Sequence, residues 1–310
     1  MKKTLVIGST VVDIIIGVQS LPKTQEDTHT TYHKMNLGGC AFNVSEILRQ
    51  SKTPYVLCSP VGSGAYGDFV SKKLEEKKIP IFVKTPEIEN GCCYCFVEES
   101  GERTFISHHG AEYLFSKEWM KSINLADFDS VYICGLEIEE KTGIEIVSWL
   151  EENRGAKLQI YFAPGPRLTK IDSSLLARIF ALNPIIHLNE LEGEFFSKKK
   201  DVKKAAKYIF DQTNNTVIIT LGEKGCAYFD GKNFDIIPVM NCDEKNYVVD
   251  TIGAGDSHIG AFIAAQKRNY SIEKSCKIAN TISKAVVSVS GASLNDSDLC
   301  FAVFDDKSKY

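Results

Sequence analysis

The stretch Asp250-Thr251-Ile252-Gly253-Ala254-Gly255-Asp256 sets a carboxylate at the end of a run of small residues. It follows the apolar Tyr247-Val248-Val249 and leads into Ser257-His258-Ile259-Gly260-Ala261-Phe262-Ile263-Ala264-Ala265, so the spacing predicts strand, tight turn, helix. Small residues at a helix start let several backbone N–H groups point one way, at the positive end of the helix dipole, which makes an anion site. A carboxylate there would repel a resting phosphate, and Asp256 therefore has two readings. One is a general base that takes the proton of a hydroxyl attacking a phosphoryl group held by the turn. The other is an N-cap that satisfies orphan N–H groups.

A second stretch, Leu37-Gly38-Gly39-Cys40-Ala41-Phe42-Asn43, sets two glycines and an amide at the start of another predicted helix, from Ala41 to about Arg49. Glycines there allow close approach of backbone to a ligand, and Asn43 can both donate to and accept from hydroxyls. Helix-start chemistry alone would also explain Asn43. Taken together, the two stretches resemble the signatures of the ribokinase/PfkB family of carbohydrate kinases. Asp250 to Asp256 matches D-T-x-G-A-G-D at every fixed position, and the Gly-Gly pair followed by Asn is the family's other signature. The resemblance extends over essentially the whole chain. It implies a ribokinase-like α/β fold: a Rossmann-like three-layer sandwich with a central, mostly parallel sheet and a small β-sheet lid. It also implies one domain over residues 1–310, its lid formed by about 12–36 and 91–110.

The resemblance further implies ATP-dependent phosphorylation of a hydroxymethyl group on a small sugar such as ribose, fructose or a related keto sugar or sugar acid. Asp256 would be the base, and the Gly253, Ala254 and Gly255 turn would stabilise the transferred group. Asp13, Gly38, Gly39 and Asn43 would grip the acceptor. Asp13 interrupts the apolar run Val11 to Ile16, where a charge is costly unless bonded. It could cap a turn, but a carboxylate accepting two hydroxyl protons suits a polyol.

Glu137 and Arg167 fall at predicted carboxyl ends of strands, where ligands bind in open α/β sheets. Arg167 resembles an Arg found in some sugar kinases of the family. Many relatives have Asp where this chain has Ala163, and usually an acidic residue where it has Gly64. The acceptor is therefore open. A nucleoside kinase of the same family, acting on pseudouridine, inosine or adenosine, is the alternative, and a non-catalytic sugar sensor on the same scaffold is a more remote one.

On the nucleotide side, Asn189 and Glu192 fit the family's N-x-x-E, which organises magnesium, waters and phosphates. Alone, it would be a helix N-terminus with acids near the dipole's positive end. Thr220, Gly222 and Gly225 resemble the T-x-G-x-x-G that faces the nucleotide, Thr251 adjoins the phosphates, and Asn280 lies in the region near the adenine. The carbonyls of Asp250 and Ile252, with groups around Gly291, resemble a loop for a monovalent cation such as potassium.

The rival reading rests on Gly62-Ser63-Gly64-Ala65-Tyr66-Gly67, a literal G-x-G-x-x-G between the strand Tyr55 to Cys58 and a helix through Phe69, Val70 and Leu74. It would suggest an NAD-binding oxidoreductase. However, Glu87 and Glu89 are read as lying in a polar loop rather than closing a strand at the ribose distance. The run Cys92-Cys93-Tyr94-Cys95 belongs to a predicted hairpin returning through Thr104 to Ser107. A strand points neighbours to opposite faces, and no second ligand pair appears, so a metal is not expected. His108 and His109 read as surface residues. Arg103 could reach a substrate or phosphate, but reads as part of an exposed turn.

Across 310 residues, 44% are hydrophobic and 25% charged, with a net charge of −4, ordinary for a globular protein and unlike a nucleic-acid or membrane-surface binder. Neither a secretory h-region nor a run of transmembrane length is found. The 10 cysteines read as small hydrophobes of a reducing, cytoplasmic protein. From Ser130 onward strands alternate with helices, as in a parallel sheet covered on both faces. The hairpin carries apolar groups on both faces and is expected to cover a cleft or pair two subunits into a homodimer through the lid.

Overall fold

The computed structural model describes residues 1–239, 251–289, 291, 294 and 303–304. The expected strand at Tyr247 to Val249, Asp250 and the terminal residues 305–310 lie outside them.

Strand β1 (Lys3–Ile7) opens the chain, followed by β2 (Val11–Val18) and β3 (Thr30–Gly38). Helix α1 (Cys40–Gln50) leads to β4 (Tyr55–Cys58), β5 (Pro60–Ser63) and α2 (Gly64–Glu76). Three strands follow: β6 (Val83–Glu89), β7 (Cys92–Glu98) and β8 (Arg103–His108). The alternating part comprises β9 (Phe128–Cys134), α3 (Gly135–Glu139), α4 (Gly143–Glu152), β10 (Gln159–Ala163), α5 (Ser173–Phe180), β11 (Ile185–Asn189), α6 (Glu190–Ser197), α7 (Val202–Thr213) and β12 (Val217–Thr220). A hairpin of β13 (Cys226–Phe229) and β14 (Phe234–Ile237) and the helices α8 (Ala254–Gln266) and α9 (Ile272–Val287) complete the described elements.

Among the described residues, eight strands form a sheet in the order β14-β13-β12-β11-β10-β9-β1-β4. Its pairs from β4 to β12 are parallel, and the last hairpin runs antiparallel. The strands are apolar on both faces, as crossover connections require. Val6, Tyr132 and Cys134 point into one core, with residues of α1, α8 and α9; Leu5, Ile7, Val131 and Ile133 point into the other, with residues of α4, α5 and α7. The result is the three-layer α/β sandwich with a large, mostly parallel sheet that the motifs implied.

The smaller sheet has the order β3-β2-β7-β8. It joins residues 11–38 to 92–108, pairing β2 with β7 in parallel and β7 with β8 as a hairpin. Where the hairpin leaves the body, one carboxylate holds both crossing points: the Gly91 N–H donates to Glu112 Oε2 at 2.8 Å and the Gly110 N–H to Glu112 Oε1 at 3.1 Å. Burial raises the Glu112 carboxyl above its usual range, and the hydrogen bonds from these backbone N–H groups oppose that rise.

One sequence expectation is corrected here. Glu87 and Glu89 lie in a strand, not a loop, because β6 continues through Glu89 and pairs with β5 in a separate two-stranded sheet. The glycines of the G-x-G-x-x-G run have a packing role. A Cβ at Gly62 would sit 2.4 Å from the Ile88 carbonyl oxygen, and one at Gly67 2.2 Å from that of Gly62. The expected strand Tyr55–Cys58 is β4, at the edge of the large parallel sheet, but a further short strand, β5, intervenes before α2 and pairs with β6 outside that sheet.

Candidate functional site

Helix α8 is a stiff mount. Ser257 through Ala265 are all buried, and the helix crosses α1 so closely that a Cβ at Gly260 would be 3.0 Å from Ile47 Cβ. Its N-cap, Gly253, has φ 73, a left-handed conformation that costs glycine little. First-turn N–H groups of an α-helix lack acceptors within the helix and point ahead of it. Here the Ala254 N–H already donates to the Thr251 carbonyl at 3.3 Å, so the expected anion turn narrows toward Gly255 and Asp256. The N-cap is Gly253 and Asp256 lies in the first turn of the helix, which removes the N-cap reading.

The two sequence motifs meet. Asn43 Nδ2 donates to Asp256 Oδ2 at 2.8 Å, across 213 positions of sequence. Asn43 is in the first turn of α1, whose N-cap Gly39 has φ 97 and lies against Ser9: a Cβ there would be 2.6 Å from the Ser9 carbonyl oxygen. Gly38 is covered by Asp13, whose carboxylate oxygen would be 1.9 Å from an added Cβ. Asp13 and Asn36 are partners in the β2–β3 register. Burial raises the Asp256 carboxyl from the ordinary aspartate range, while the Asn43 amide and the nearby Cys40 thiol pull it down.

Glu137, in α3 at the end of β9, also joins this group. Its Oε1 accepts the Ser9 N–H at 2.8 Å, and burial pushes its carboxyl up to about 7. Thr10 Oγ1, Asn43 Oδ1, the Tyr132 hydroxyl and Glu137 Oε2 are buried without a hydrogen-bond partner. Such atoms are uncommon in native proteins and point to polar ligands or water. Sequence reasoning did not single out Thr10, Cys40 or Tyr132. Thr10 directly follows Gly8-Ser9, a signal that was available, whereas Tyr132 inside an apolar strand gave none.

Arg167 is half-buried and forms an ion pair with Glu139 at 3.2 Å, near the carboxyl ends of β10 and β9. Arg103 is not the exposed turn residue expected. It opens β8, is half-buried, and its Nη1 donates to Thr251 Oγ1 at 2.9 Å. His109 contacts Glu140 at 2.5 Å and stacks on Tyr113.

At the far side, Asn189 and Glu192 form a capping box. The Asn189 side chain accepts the Glu192 N–H at 2.8 Å, and the Glu192 carboxylate accepts from the Asn189 N–H at 3.0 Å and its amide at 2.8 Å. Burial raises the Glu192 carboxyl. Thr220 ends β12, and the Leu221 N–H bonds the Gly225 carbonyl at 2.7 Å, closing a turn in which Gly222 is exposed with φ 60. Asn280 adjoins this turn, with its Nδ2 3.0 Å from a Cβ built at Gly225. Its amide faces inward, its Oδ1 accepting from His258 Nε2 at 3.1 Å and its Nδ2 donating to the Ile237 carbonyl at 2.8 Å. Ile252 is half-buried, and Gly291 is buried with φ 99, its added Cβ 3.7 Å from Asn36. Among the described residues, no three His, Cys, Asp or Glu side chains gather as metal ligands, and no helix is long and apolar enough to cross a membrane.

A lidded parallel sheet with a carboxylate at a glycine-bent helix start is the arrangement of a phosphotransferase with an alcohol acceptor. Residues 1–299 match the pfkB family carbohydrate kinase model, and the chain belongs to that family. It is 29% identical to the uncharacterized sugar kinase YegV of Escherichia coli (strain K12), over 92% of this chain and 88% of the relative. Its fold is similar to a ribokinase from Giardia lamblia (TM-score 0.81, 20% identity, 94% of this chain and 96% of the other). It is also similar to an adenosine kinase from Schistosoma mansoni solved with 2-fluoroadenosine (TM-score 0.79, 18% identity, 95% and 98%). The protein is a sugar or nucleoside kinase.

Proposed function

We propose that the protein transfers the γ-phosphoryl group of ATP to a hydroxymethyl group of a small sugar, with Asp256 as general base. The observation that carries this is the 2.8 Å bond from Asn43 to Asp256 at the start of α8. It joins a residue able to hold an acceptor hydroxyl to a carboxylate aimed past the anion turn. Asp256 takes the proton of the attacking hydroxyl, and the first-turn N–H groups of Gly255 and Asp256 stabilise charge on the group in flight. Asp13, Gly38, Gly39, Asn43 and Glu137 hold the sugar's other hydroxyls. The buried polar atoms of Thr10, Asn43, Tyr132 and Glu137 favour an acceptor rich in hydroxyls, because a site built for hydroxyls discriminates strongly against analogues lacking them.

Thr220, Gly222, Gly225 and Thr251 line the nucleotide side in this reading, with Asn189 bracing Glu192. Asn280 acts there by shaping the Gly225 turn. Each Glu192 oxygen accepts one bond from Asn189 and keeps lone-pair capacity, which suits a magnesium ion held through water. Magnesium, when bound, offsets the negative charge of the phosphates. Ile252 and Gly291 are the described members of the proposed potassium loop.

The test is Asp256→Asn, assayed by ADP release. It should lower kcat by at least about a hundredfold while leaving ATP affinity within about threefold, as a loss confined to the chemical step requires. Turnover near wild type would remove Asp256 from the mechanism. A nucleoside acceptor is the second reading, supported by Cys93, Cys95 and Phe105, apolar groups that share the Asp13 face of the smaller sheet and could cover a base. A panel of ribose, fructose, 2-keto-3-deoxygluconate and nucleosides separates the two.

A further inference from the structure

A buried chain of side chains ties the helix of the base to the nucleotide side. His187 of β11, His258 of α8 and Asn280 of α9 are all buried. His187 Nε2 and His258 Nδ1 are 3.0 Å apart, and His258 Nε2 and Asn280 Oδ1 are 3.1 Å apart. The direction of each bond follows from the far end. The Ile237 carbonyl can only accept, so the Asn280 atom 2.8 Å from it is the amide Nδ2. Asn280 therefore turns its Oδ1 to His258, whose Nε2 must carry a proton. A neutral His258 then accepts at Nδ1, and His187 donates from Nε2. Burial, and beside it the charge of His258, hold His187 well below its usual range, so it is a neutral donor. The Cys226 thiol, the residue after Gly225, joins the same group. Contact with Cys276, then with His258 and Asn280, pulls it down to about 5, so it too calls for donors on this side.

The chain spans the elements that carry the site. His187 lies two residues before Asn189, and His258 two residues after Asp256. Asn280 Nδ2 lies 3.0 Å from a Cβ built at Gly225, and the Ile237 carbonyl oxygen that it holds is closer still. The two ends of an Asn amide have nearly the same shape, so packing alone does not choose between its orientations. Turned over, Asn280 would set its oxygen against the Ile237 carbonyl. Burying two imidazoles and an amide costs more than burying apolar groups, and bonded partners offset that cost in one orientation only. We propose that His258 is a positioning residue for the nucleotide: with His187 behind it, it orients the Asn280 amide, and the amide holds the Gly225 turn in the shape that ATP meets. This rests on the reading above, in which that turn lines the nucleotide side. Because His258 and Asp256 share α8, the chain also fixes the turn relative to the base.

The experiment uses the full chain with its best acceptor. His258→Phe keeps a ring and removes the donor. It should weaken ADP binding and raise the KM for ATP by about tenfold, the scale of one buried hydrogen bond lost. The acceptor KM, and kcat at saturating ATP, should stay within about threefold of wild type. His258→Gln places an N–H where Nε2 stood and should recover most of the loss, whereas His258→Asn reaches only the Nδ1 position and should not. The double variant His258→Phe/Asn280→Leu should bind ADP no more weakly than Asn280→Leu alone, because both changes break one chain. A second readout needs no turnover: ring ¹⁵N spectra of the wild type should place a proton on Nε2 of both His187 and His258. Adding ADP should shift the backbone amides of Gly222 and Gly225. ADP affinity of His258→Phe within about twofold of wild type, a His258 ring without its Nε2 proton, additive losses in the double variant, or equal rescue by Asn and Gln would each overturn the proposal. So would a joint loss of kcat, acceptor binding and thermal stability in His258→Phe, which marks a merely structural role. Should His258→Phe fail to fold, the Gln and Asn variants and the wild-type ring spectra decide the matter. Unshifted Gly222 and Gly225 amides would remove the nucleotide-side reading and this inference with it. Shifted amides beside an unaffected His258→Phe would remove the inference alone.

Discussion

Asp256 works under two opposed influences, and the balance is testable at the level of single residues. Burial lifts its carboxyl, and the Asn43 amide lowers it. A general base must be ionised, so kcat/KM should fall on the acid side above the pH of an ordinary aspartate. Removing the amide in Asn43→Ala withdraws the stabilising donor and should move that limb to higher pH, beyond any loss of acceptor binding. An unmoved limb in the pH–rate profile would show that Asn43 does not tune the base.

Glu137 gives a stability counterpart. Its carboxyl is raised from 4.5 to about 7, so the native state holds a proton that the unfolded chain has released. Stability should therefore decline as pH rises from about 4.5 to 7, by at most about 1.4 kcal/mol per pH unit from this group. Glu137→Gln, neutral throughout, should flatten that decline in denaturant melts. Glu112, whose carboxyl is also raised by burial, contributes with the same sign. An unchanged pH slope in the variant would place the titration elsewhere.

At the scale of elements, the fold solves two positioning problems. The close α1–α8 crossing fixes the Asn43–Asp256 distance, because Gly260 lets the backbones approach. The hinge of the smaller sheet depends on Glu112, which accepts from both Gly91 and Gly110. Glu112→Ala should cost about 1–3 kcal/mol, the usual penalty for stranding buried N–H donors. Amide exchange should accelerate in β7 and β8 more than in β9. Equal acceleration everywhere would show a global loss and no hinge role.

The same scale shows where pattern and packing part. Alternating strands and helices after Ser130 announced the parallel sheet, since period and length are local properties. The G-x-G-x-x-G run also announced a strand–turn–helix, but nothing local could say that a second strand, β5, follows Tyr55–Cys58 and pairs with β6 outside the large sheet. Nor could a polar sequence such as Thr85-Pro86-Glu87-Ile88-Glu89 show that it becomes a strand by pairing with β5.

For the molecule as a whole, the lid carries an outer edge that invites a partner. Phe105 and Ile106 on the edge strand β8 are 53% and 58% exposed, and exposed apolar edges seek cover. In our reading two copies pair there. Sedimentation should give a dimer at micromolar concentration and a monomer for Ile106→Glu; a monomeric wild type would dismiss the pairing. Since the lid also meets Thr251 through Arg103, the monomeric variant should turn over more slowly if pairing holds the lid.

The amino-acid order alone determined the family, the layered α/β class and the two motifs, because each is written in contiguous residues whose spacing sets turn, helix start and periodicity. It also named Asp13, Asn43, Glu137 and Asp256, though not their neighbours. Only the tertiary structure decided that Asn43 and Asp256 touch, that Asn280 turns inward to His258, and that Arg103 meets Thr251. Those facts depend on contacts between distant segments, and side-chain direction there is set by which elements pack together, which no local stretch of chain encodes.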